Sequence, residues 1–198
     1  MQKSVFFETD LQERLLASID GAIAAVSQLK QPEHVLFIQD TARLLVETFR
    51  RGKKVLIAGN GGSLCDATHF AEELTGFFRK RRRALAAIAL ADPGHITCTA
   101  NDFGFEHIFS RHVEALGQEE DVFIGLTTSG NSPNIILAFE AAKRLGMRTV
   151  AFLGKDGGVL KGAADLELVI HGFPTSDRIQ EAHMAAIHLI IECVEDAL

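Results

Sequence analysis

The stretch VLIAGNGGS, residues 55–63, decides the fold class of this chain. Its four leading apolar residues predict a short strand buried on both faces, and the glycine-rich run predicts a tight turn into a helix near 64–78. Glycines let backbone N–H groups approach an anion, and a helix N-terminus adds partial positive charge. A plain strand-to-helix turn has the same pattern, so this stretch alone leaves anion binding and a structural turn as equal alternatives.

The same alternation of apolar runs and helical periodicity continues to the end of the chain. Further strands are predicted at Ala84–Leu90, Val122–Leu126, Thr149–Leu153 and Leu166–Ile170. Helices are predicted near residues 93–100, 105–116, 135–145 and from about 176 onward. Strands separated by helices at this spacing predict an α/β fold, with a parallel five-stranded sheet flanked by helices.

Two amphipathic patterns precede the first strand and predict a pair of antiparallel helices. Apolar residues recur every three or four positions in both, at Leu11, Leu15, Ile19, Ile23 and Val26, then at Val35, Ile38, Ala42, Leu45 and Phe49. Gly52 ends the second pattern as a helix C-terminal glycine. We therefore divide the chain into N-terminal helices (1–52), packed on the domain or on a partner subunit, and the α/β part (53–198), as one domain overall. The final helix is apolar nearly all round, which favours cover by a neighbouring subunit.

Composition narrows the class of function. The 198 residues carry a formal net charge of −6, which disfavours DNA as a partner. Tyr and Trp are absent, and the three widely spaced cysteines predict neither disulfides nor a cysteine zinc site. The sequence shows no signal peptide and no membrane-spanning run, so a cytoplasmic location is expected.

A second polar loop, TTSGNS at residues 127–132, follows the strand predicted at Val122–Leu126 and precedes a helix. It gathers four hydroxyl groups at the carboxyl end of a strand, where open parallel sheets bind ligands. Hydroxyls and helix-end amides hold a phosphate without cationic side chains. Helix capping explains one such residue but not four, so the loop favours phosphate binding.

Two helices carry residues suited to proton transfer or metal binding. His69 and Glu73 are four residues apart and share one helix face. On the last helix Gln180 lies about two turns before His188, and these four side chains make a reasonable N/O set for a divalent metal. His183 and His188 point about 140° apart on that helix, so spacing alone does not decide which one faces the site.

These motifs together resemble the SIS (sugar isomerase) family, in its heptose-phosphate branch, almost from end to end. The resemblance rests on the two loops and on further strings in the same order: CDA at 65–67, HFAEELTG at 69–76, NDFGF at 101–105, GKDGG at 154–158 and DRIQE at 177–181. It implies an isomerase acting on sedoheptulose 7-phosphate through an enediol(ate), and a homotetramer with sites at subunit interfaces. The resulting heptose would enter lipopolysaccharide or another glycan.

The resemblance also implies roles for individual residues. Glu73 would be the catalytic base and His188 its acid/base partner, with His183 structural or supporting the site. His69, Glu73, Gln180 and His188 would hold one Zn²⁺ per subunit. Substrate would be bound by Asn60, Gly61, Gly62, Ser63, Asp102, Thr127, Thr128, Ser129, Ser132, Asp177 and Gln180.

The chain departs from the family pattern at two places. Phe77 and Phe78 stand where an Arg is common, with Arg79 two residues late, and Thr127 replaces a frequent Ser. The basic run RKRRR at 79–83 predicts a solvated loop, or alternatively a surface that steers an anionic sugar phosphate.

Other classes of function remain alternatives. A non-catalytic SIS regulator of replication initiation would keep the loops but lack an acid/base pair such as Glu73 and His188. A transcription regulator would need a basic DNA-binding region, which residues 1–52 do not supply. An isomerase of a hexose or pentose phosphate would share both loops, because they recognise phosphate and not carbon number.

Overall fold

Five parallel strands form one sheet at the centre of the computed structural model, which describes residues 5–198, with side chains from residue 11 onward. The strands are β1 (Val55–Gly59), β2 (Ala87–Ala89), β3 (Val122–Thr127), β4 (Arg148–Gly154) and β5 (Leu166–Ile170). They lie in the order β2-β1-β3-β4-β5, with every neighbouring pair parallel. The predicted fold class is confirmed. The second strand is shorter than predicted because it is an edge strand whose register with β1 covers only residues 87–89.

Seven helices surround this sheet in the described part of the chain. They are α1 (Val5–Ser27), α2 (Pro32–Arg50), α3 (Gly62–Thr75), α4 (Pro93–Phe103), α5 (Ile108–Leu116), α6 (Pro133–Arg144) and α7 (Ser176–Ala197). Alternate strand residues point to opposite faces, so Val55 and Ile57 join a core with α2, α3 and α7. Leu56 and Ala58 join a second core with α5 and α6.

The two N-terminal helices both pack against α7. Gly52 follows α2 with a φ of +73°, as its predicted role requires. The apolar stripe predicted on α1 exists, but one chain leaves it exposed, with Ile23 at 59% and Ile19 at 54% exposure. Residues 1–4 of the predicted N-terminal part lie outside the described residues.

Helix α7 buries one broad face, which includes Ile179, Ile187 and Ile191. Its apolar surface extends further than one chain covers, since Leu189 is 41% exposed. Cover of this remainder by a neighbouring subunit stays a prediction. Among the described residues, none of the helices combines the length and the hydropathy that crossing a bilayer requires.

Candidate active site

The loop between β1 and α3 is shaped by its glycines to fit against α7. Gly61 has a φ of +56°, in the left-handed region that favours glycine. A Cβ on Gly62 would lie 2.7 Å from Oε1 of Gln180, so a larger residue there would displace the Gln180 carboxamide. Gln180 Nε2 donates to Ser63 Oγ at 3.2 Å, which ties the start of α3 to α7.

Asn60, in the same loop, forms a reciprocal pair of amide hydrogen bonds with Asn134 on α6. Each Nδ2 donates to the other Oδ1 at 2.9 Å, and Asn134 is buried. The pair connects the first loop to the helix that follows the second loop. Asn134 was missed by sequence reasoning because its partner is 74 residues away and no local periodicity links them.

The second loop brings three of its four predicted hydroxyls together. Thr127 Oγ1 lies 3.2 Å from Ser132 Oγ and 3.5 Å from Ser129 Oγ, at the carboxyl end of β3. The fourth hydroxyl, on Thr128, lies 3.0 Å from Ser176 Oγ at the start of α7. Since β1 and β3 are neighbours in the sheet, the two loops open on the same edge.

Close backbone packing fixes the shape of the second loop. Gly130 has a φ of +66°, and a Cβ there would lie 1.8 Å from the carbonyl oxygen of Gly157. The Val159 N–H donates to Asn131 Oδ1 at 3.0 Å, which fastens the loop to the turn after β4. The hydroxyl groups are therefore held on a rigid support.

Helices α3 and α7, which carry the residues predicted for proton transfer or metal binding, meet through a pair of histidines. His69 Nε2 on α3 lies 2.9 Å from His188 Nε2 on α7, so one ring donates a hydrogen bond and the other accepts it. Glu73 Oε1 lies 3.6 Å from the same His69 nitrogen. Glu72 Oε1 lies 3.2 Å from the other ring nitrogen of His69. The structure thus places Glu73 and His188 at the same ring nitrogen of His69, and Glu72 at the other.

Sequence reasoning passed over Glu72, although the same helical spacing that paired His69 with Glu73 also permits an i,i+3 contact. The Glu72 side chain is mostly exposed, and its approach to Nδ1 is an ion-pair contact.

His188 lies in an environment that keeps its imidazole neutral. Burial lowers its pKa, His69 and Arg79 act in the same direction, and Glu73 opposes them. The ring of Phe78 stacks on it, with centroids 5.4 Å apart and 19° between the planes. A neutral imidazole near neutral pH can take up a proton or bind a metal.

The other candidate histidine, His183, points into the protein core. Its Nε2 lies 2.9 Å from the carbonyl oxygen of Leu153, and the side chain is fully buried. Burial lowers its pKa to about 4, against a partly compensating bond to that carbonyl. The structure thus decides what spacing left open, because it turns His188 to the site and gives His183 a structural place.

Asp66 is a further ionisable group that sequence reasoning did not single out. It lies on α3 three residues before His69, and its Oδ2 atom is buried without a hydrogen-bond partner among the described residues. Burial raises its pKa to about 6, although the nearby His69 acts in the opposite direction. Perturbed carboxyl groups of this kind concentrate at functional sites.

Two predicted substrate residues remain apart from the cluster in a single chain. The hydrogen bonds of the Asp102 side chain, among the described residues, are to Asn101 and Cys98 of its own helix. Asp177 is exposed and pairs with its neighbour Arg178. Neither carboxylate contacts the two loops within the described part of one chain.

The cluster around His69 has the donor chemistry of a zinc site. His69, Glu72 and Glu73 each place one ligand atom within 4.8 Å of the others. The Nε2 of His188 lies 2.9 Å from the Nε2 of His69. Bonds of about 2.0–2.1 Å to a tetrahedral ion put its ligands about 3.3 Å apart, which the 2.9 and 3.6 Å separations bracket. Gln180, the fourth predicted ligand, donates through Nε2 to Ser63, which leaves its Oε1 without a hydrogen bond among the described residues.

A parallel sheet with two loops suited to phosphate binding at one edge is the arrangement of an SIS domain. The family model for the SIS domain matches residues 19–154 of this chain. The match begins within α1 and ends with β4, so it includes both loops and α3. The chain belongs to the SIS domain family.

Comparison with similar proteins narrows the membership of this chain to one branch of the family. A curated phosphoheptose isomerase of Fusobacterium nucleatum is 63% identical over 157 residues, which is 79% of this chain and 80% of the relative. That of Edwardsiella ictaluri is 52% identical over 185 residues, or 93% and 96% of the two chains. A solved phosphoheptose isomerase from Neisseria gonorrhoeae superposes with a TM-score of 0.86 at 38% identity, covering 94% of this chain and 99% of that one. Within the SIS family the chain groups with the phosphoheptose isomerases.

Replacing His183 by Gln is expected to flatten the acid dependence of stability. The folded-state pKa of about 4 is below the ordinary value of 6.5. The stability that the neutral ring contributes is therefore fully present above pH 6.5 and is lost as the pH falls toward 4. At 1.36 kcal/mol per pKa unit, lowering the pH from 7 to 5 costs the parent protein about 2 kcal/mol through this group.

Urea denaturation followed by circular dichroism at pH 7 and pH 5, at fixed protein concentration, measures the difference. His107→Gln is the matched control, since that imidazole is only partly buried. Equal pH dependence of the His183→Gln variant and the parent protein would contradict the assignment.

Proposed function

We propose that this protein is an aldose–ketose isomerase that converts sedoheptulose 7-phosphate to D-glycero-D-manno-heptose 7-phosphate in heptose biosynthesis. The observation that carries the proposal is the 2.9 Å contact between His69 and His188. It brings Glu73 and a neutral imidazole together on α3 and α7, which are also joined at the first loop through Ser63 and Gln180. A non-catalytic SIS regulator is not favoured, because binding alone does not require such an acid/base pair.

The reaction moves a proton from C1 of the ketose to C2 of the aldose through an enediol(ate). Glu73 is the proposed base, since its carboxylate is largely buried beside His69. It takes the proton from C1 and returns it to C2. His188, which starts neutral, accepts a proton from the oxygen on C1 and donates it to the oxygen on C2, so protons balance over the cycle.

The phosphate of the sugar is proposed to bind at the second loop. Ser129 and Ser132 present hydroxyl groups, and the N-terminus of α6 adds the partial positive charge of the helix dipole. Thr128 and the first-loop residues Asn60 and Ser63 would contact the remaining sugar oxygens. Fixing the phosphate away from the reacting carbons holds the open-chain sugar in one orientation.

We propose that one Zn²⁺ is held by His69, Glu73, Gln180 and His188. When bound, the ion supplies Lewis-acid stabilisation to the developing oxyanion. Gln180 would bind the ion through Oε1, because its Nε2 donates to Ser63. Because a carboxylate that binds a metal is a weaker base, assays with and without added zinc decide whether the ion is essential or modulatory.

A homotetramer with sites at subunit interfaces is also proposed. The support is the apolar stripe that one chain leaves exposed, formed on α1 by Leu11, Leu15, Ile19 and Ile23. If Asp102 binds substrate as the resemblance implies, another subunit would have to bring it to a site.

We further propose a cytoplasmic location. All three cysteines are free thiols in the described structure, which fits a reducing compartment.

Glu73→Gln is expected to lower kcat by at least about 100-fold with little change in substrate affinity, because the amide keeps the shape but cannot accept the C1 proton. Proton NMR of sedoheptulose 7-phosphate in deuterated solvent follows the anomeric signal of the product and deuterium entry at C2. Isothermal titration of the variant with substrate tests whether binding persists. Turnover at the parent rate would refute the base assignment.

Ser129→Ala is expected to raise KM more than it lowers kcat, since the hydroxyl binds the distant phosphate equally in ground and transition states. Steady-state kinetics measure both constants. Ser110→Ala, which removes a buried hydroxyl on α5, is the control and should leave KM unchanged. A loss in kcat alone would contradict the anchoring role.

His69→Ala is expected to abolish zinc uptake, because it removes the nitrogen around which the other donors are arranged. Elemental analysis of protein dialysed against zinc gives the metal content per chain. His95→Ala serves as the control for a histidine on another helix. Unchanged zinc content in the His69 variant would exclude this ligand set.

A further inference from the structure

The segment between α3 and β2 contains the basic run at 79–83, and its fourth residue is not solvated. The side chain of Arg82 is 8% exposed and that of Glu195 on α7 is 2% exposed, with Arg82 Nε 3.0 Å from Glu195 Oε1. The predicted solvated loop is therefore wrong at Arg82. Burying an ion pair costs desolvation energy that only good geometry and further hydrogen bonds offset.

The carboxylate of Glu195 supplies such bonds to three consecutive backbone groups. It accepts the N–H of Phe78 at 2.8 Å, that of Arg79 at 2.8 Å and that of Lys80 at 3.1 Å. Burial alone would raise the pKa of Glu195, but these donors and the Arg82 charge outweigh burial and lower it. Glu195 is thus ionised and anchors the segment to α7.

The guanidinium of Arg82 binds the other side of the segment, at the end of α3. It donates to the carbonyl oxygens of Glu73 at 2.7 Å, Leu74 at 2.8 Å and Gly76 at 3.2 Å. The last carbonyls of a helix have no partner within the helix, so these bonds fix a turn that otherwise frays. That turn carries Glu73, the proposed base.

Phe78 connects the anchoring residue Glu195 with His188. Its N–H is bound by Glu195, and its ring stacks on the His188 imidazole. His188 and Glu195 are seven residues apart on α7, so they lie on one face two turns apart. Arg79 closes the stack from outside, with its guanidinium carbon 5.0 Å from the Phe78 centroid and a 2.6 Å ion pair to Glu192.

We propose that Arg82 and Glu195 form a positioning clamp for the acid/base pair: Glu195 fixes Phe78 against His188, and Arg82 fixes the turn that carries Glu73. The clamp acts through Phe78 and through the backbone of α3. It rests on the proposed function for the roles of Glu73 and His188, whereas its geometry does not depend on those roles.

Glu195→Gln tests the clamp, because it keeps the size of the side chain but removes the charge that Arg82 and three N–H groups share. We expect kcat to fall about 10- to 100-fold while KM stays within about twofold, since misplacing catalytic groups slows the reaction and the phosphate loop is untouched. Asp196→Asn is the matched control. It removes the next carboxylate on α7, which pairs with Lys80 at the exposed surface, and it should leave kcat unchanged.

A second readout is independent of turnover. In zinc-free protein labelled with ¹³C-histidine, the Cε1–Hε1 signal of His188 is identified by its loss in His188→Gln. Stacking on Phe78 shields this proton, so Phe78→Leu should move the signal downfield. Glu195→Gln should move it in the same direction, and Asp196→Asn should not.

An unchanged kcat and an unchanged His188 signal in Glu195→Gln would overturn the proposal. So would a parallel loss of kcat, of substrate binding and of melting temperature, because that pattern indicates a role in stability alone. If Glu195→Gln does not fold, Arg82→Lys and Phe78→Leu replace it, and parent-like kcat in both would overturn the clamp. If the parent protein does not turn over sedoheptulose 7-phosphate, the proposed function fails, while the NMR comparison still decides the clamp.

Discussion

The contact between α3 and α7 is the interaction on which the site depends. These helices come from opposite ends of the α/β part, yet they meet through Gln180 with Ser63 and through His188 with His69. Buried residues such as Ile187 and Ile190 seat α7 on the sheet, each contributing about 1.5–3 kcal/mol by burial. Because apolar packing holds the helices, polar side chains are free to face each other across the junction.

The proposed phosphate-binding site and the proposed proton-transfer site depend on different parts of the fold. Parallel strands end at a common edge, so β1 and β3 deliver their loops side by side, and the reciprocal amide pair of Asn60 and Asn134 links them. The proposed phosphate site depends on backbone and hydroxyl groups, which need little reorganisation. The proposed proton-transfer site depends on the junction of α3 and α7, where burial displaces the pKa of Asp66 and His188 in opposite directions. Burial disfavours the charged form of each group, and pKa values perturbed in this way concentrate at functional sites.

Two charged residues, Arg82 and Glu195, are buried in the interior of the protein. Arg82 and Glu195 sit within a network in which backbone groups share the cost of burial, and Arg82 lies in a run that reads as a solvated loop. By contrast, the apolar stripe of α1 is exposed. Both features reverse the usual expectation that charge is outside and apolar surface inside. The first is explained within the chain, and the second is the basis of the proposed assembly with further copies.

The sequence by itself determined the α/β class, the strand and helix order, the two loops and the shared face of His69 and Glu73, because period, turn chemistry and helical spacing are local properties. The tertiary structure decided which histidine of α7 contacts α3, that Gln180 forms a hydrogen bond with Ser63, and which groups bind the buried Arg82. Those choices join residues more than 100 positions apart, such as His69 with His188 and Phe78 with Glu195. No local pattern encodes such pairings, since they arise only when the sheet and its core fix how α7 lies on α3.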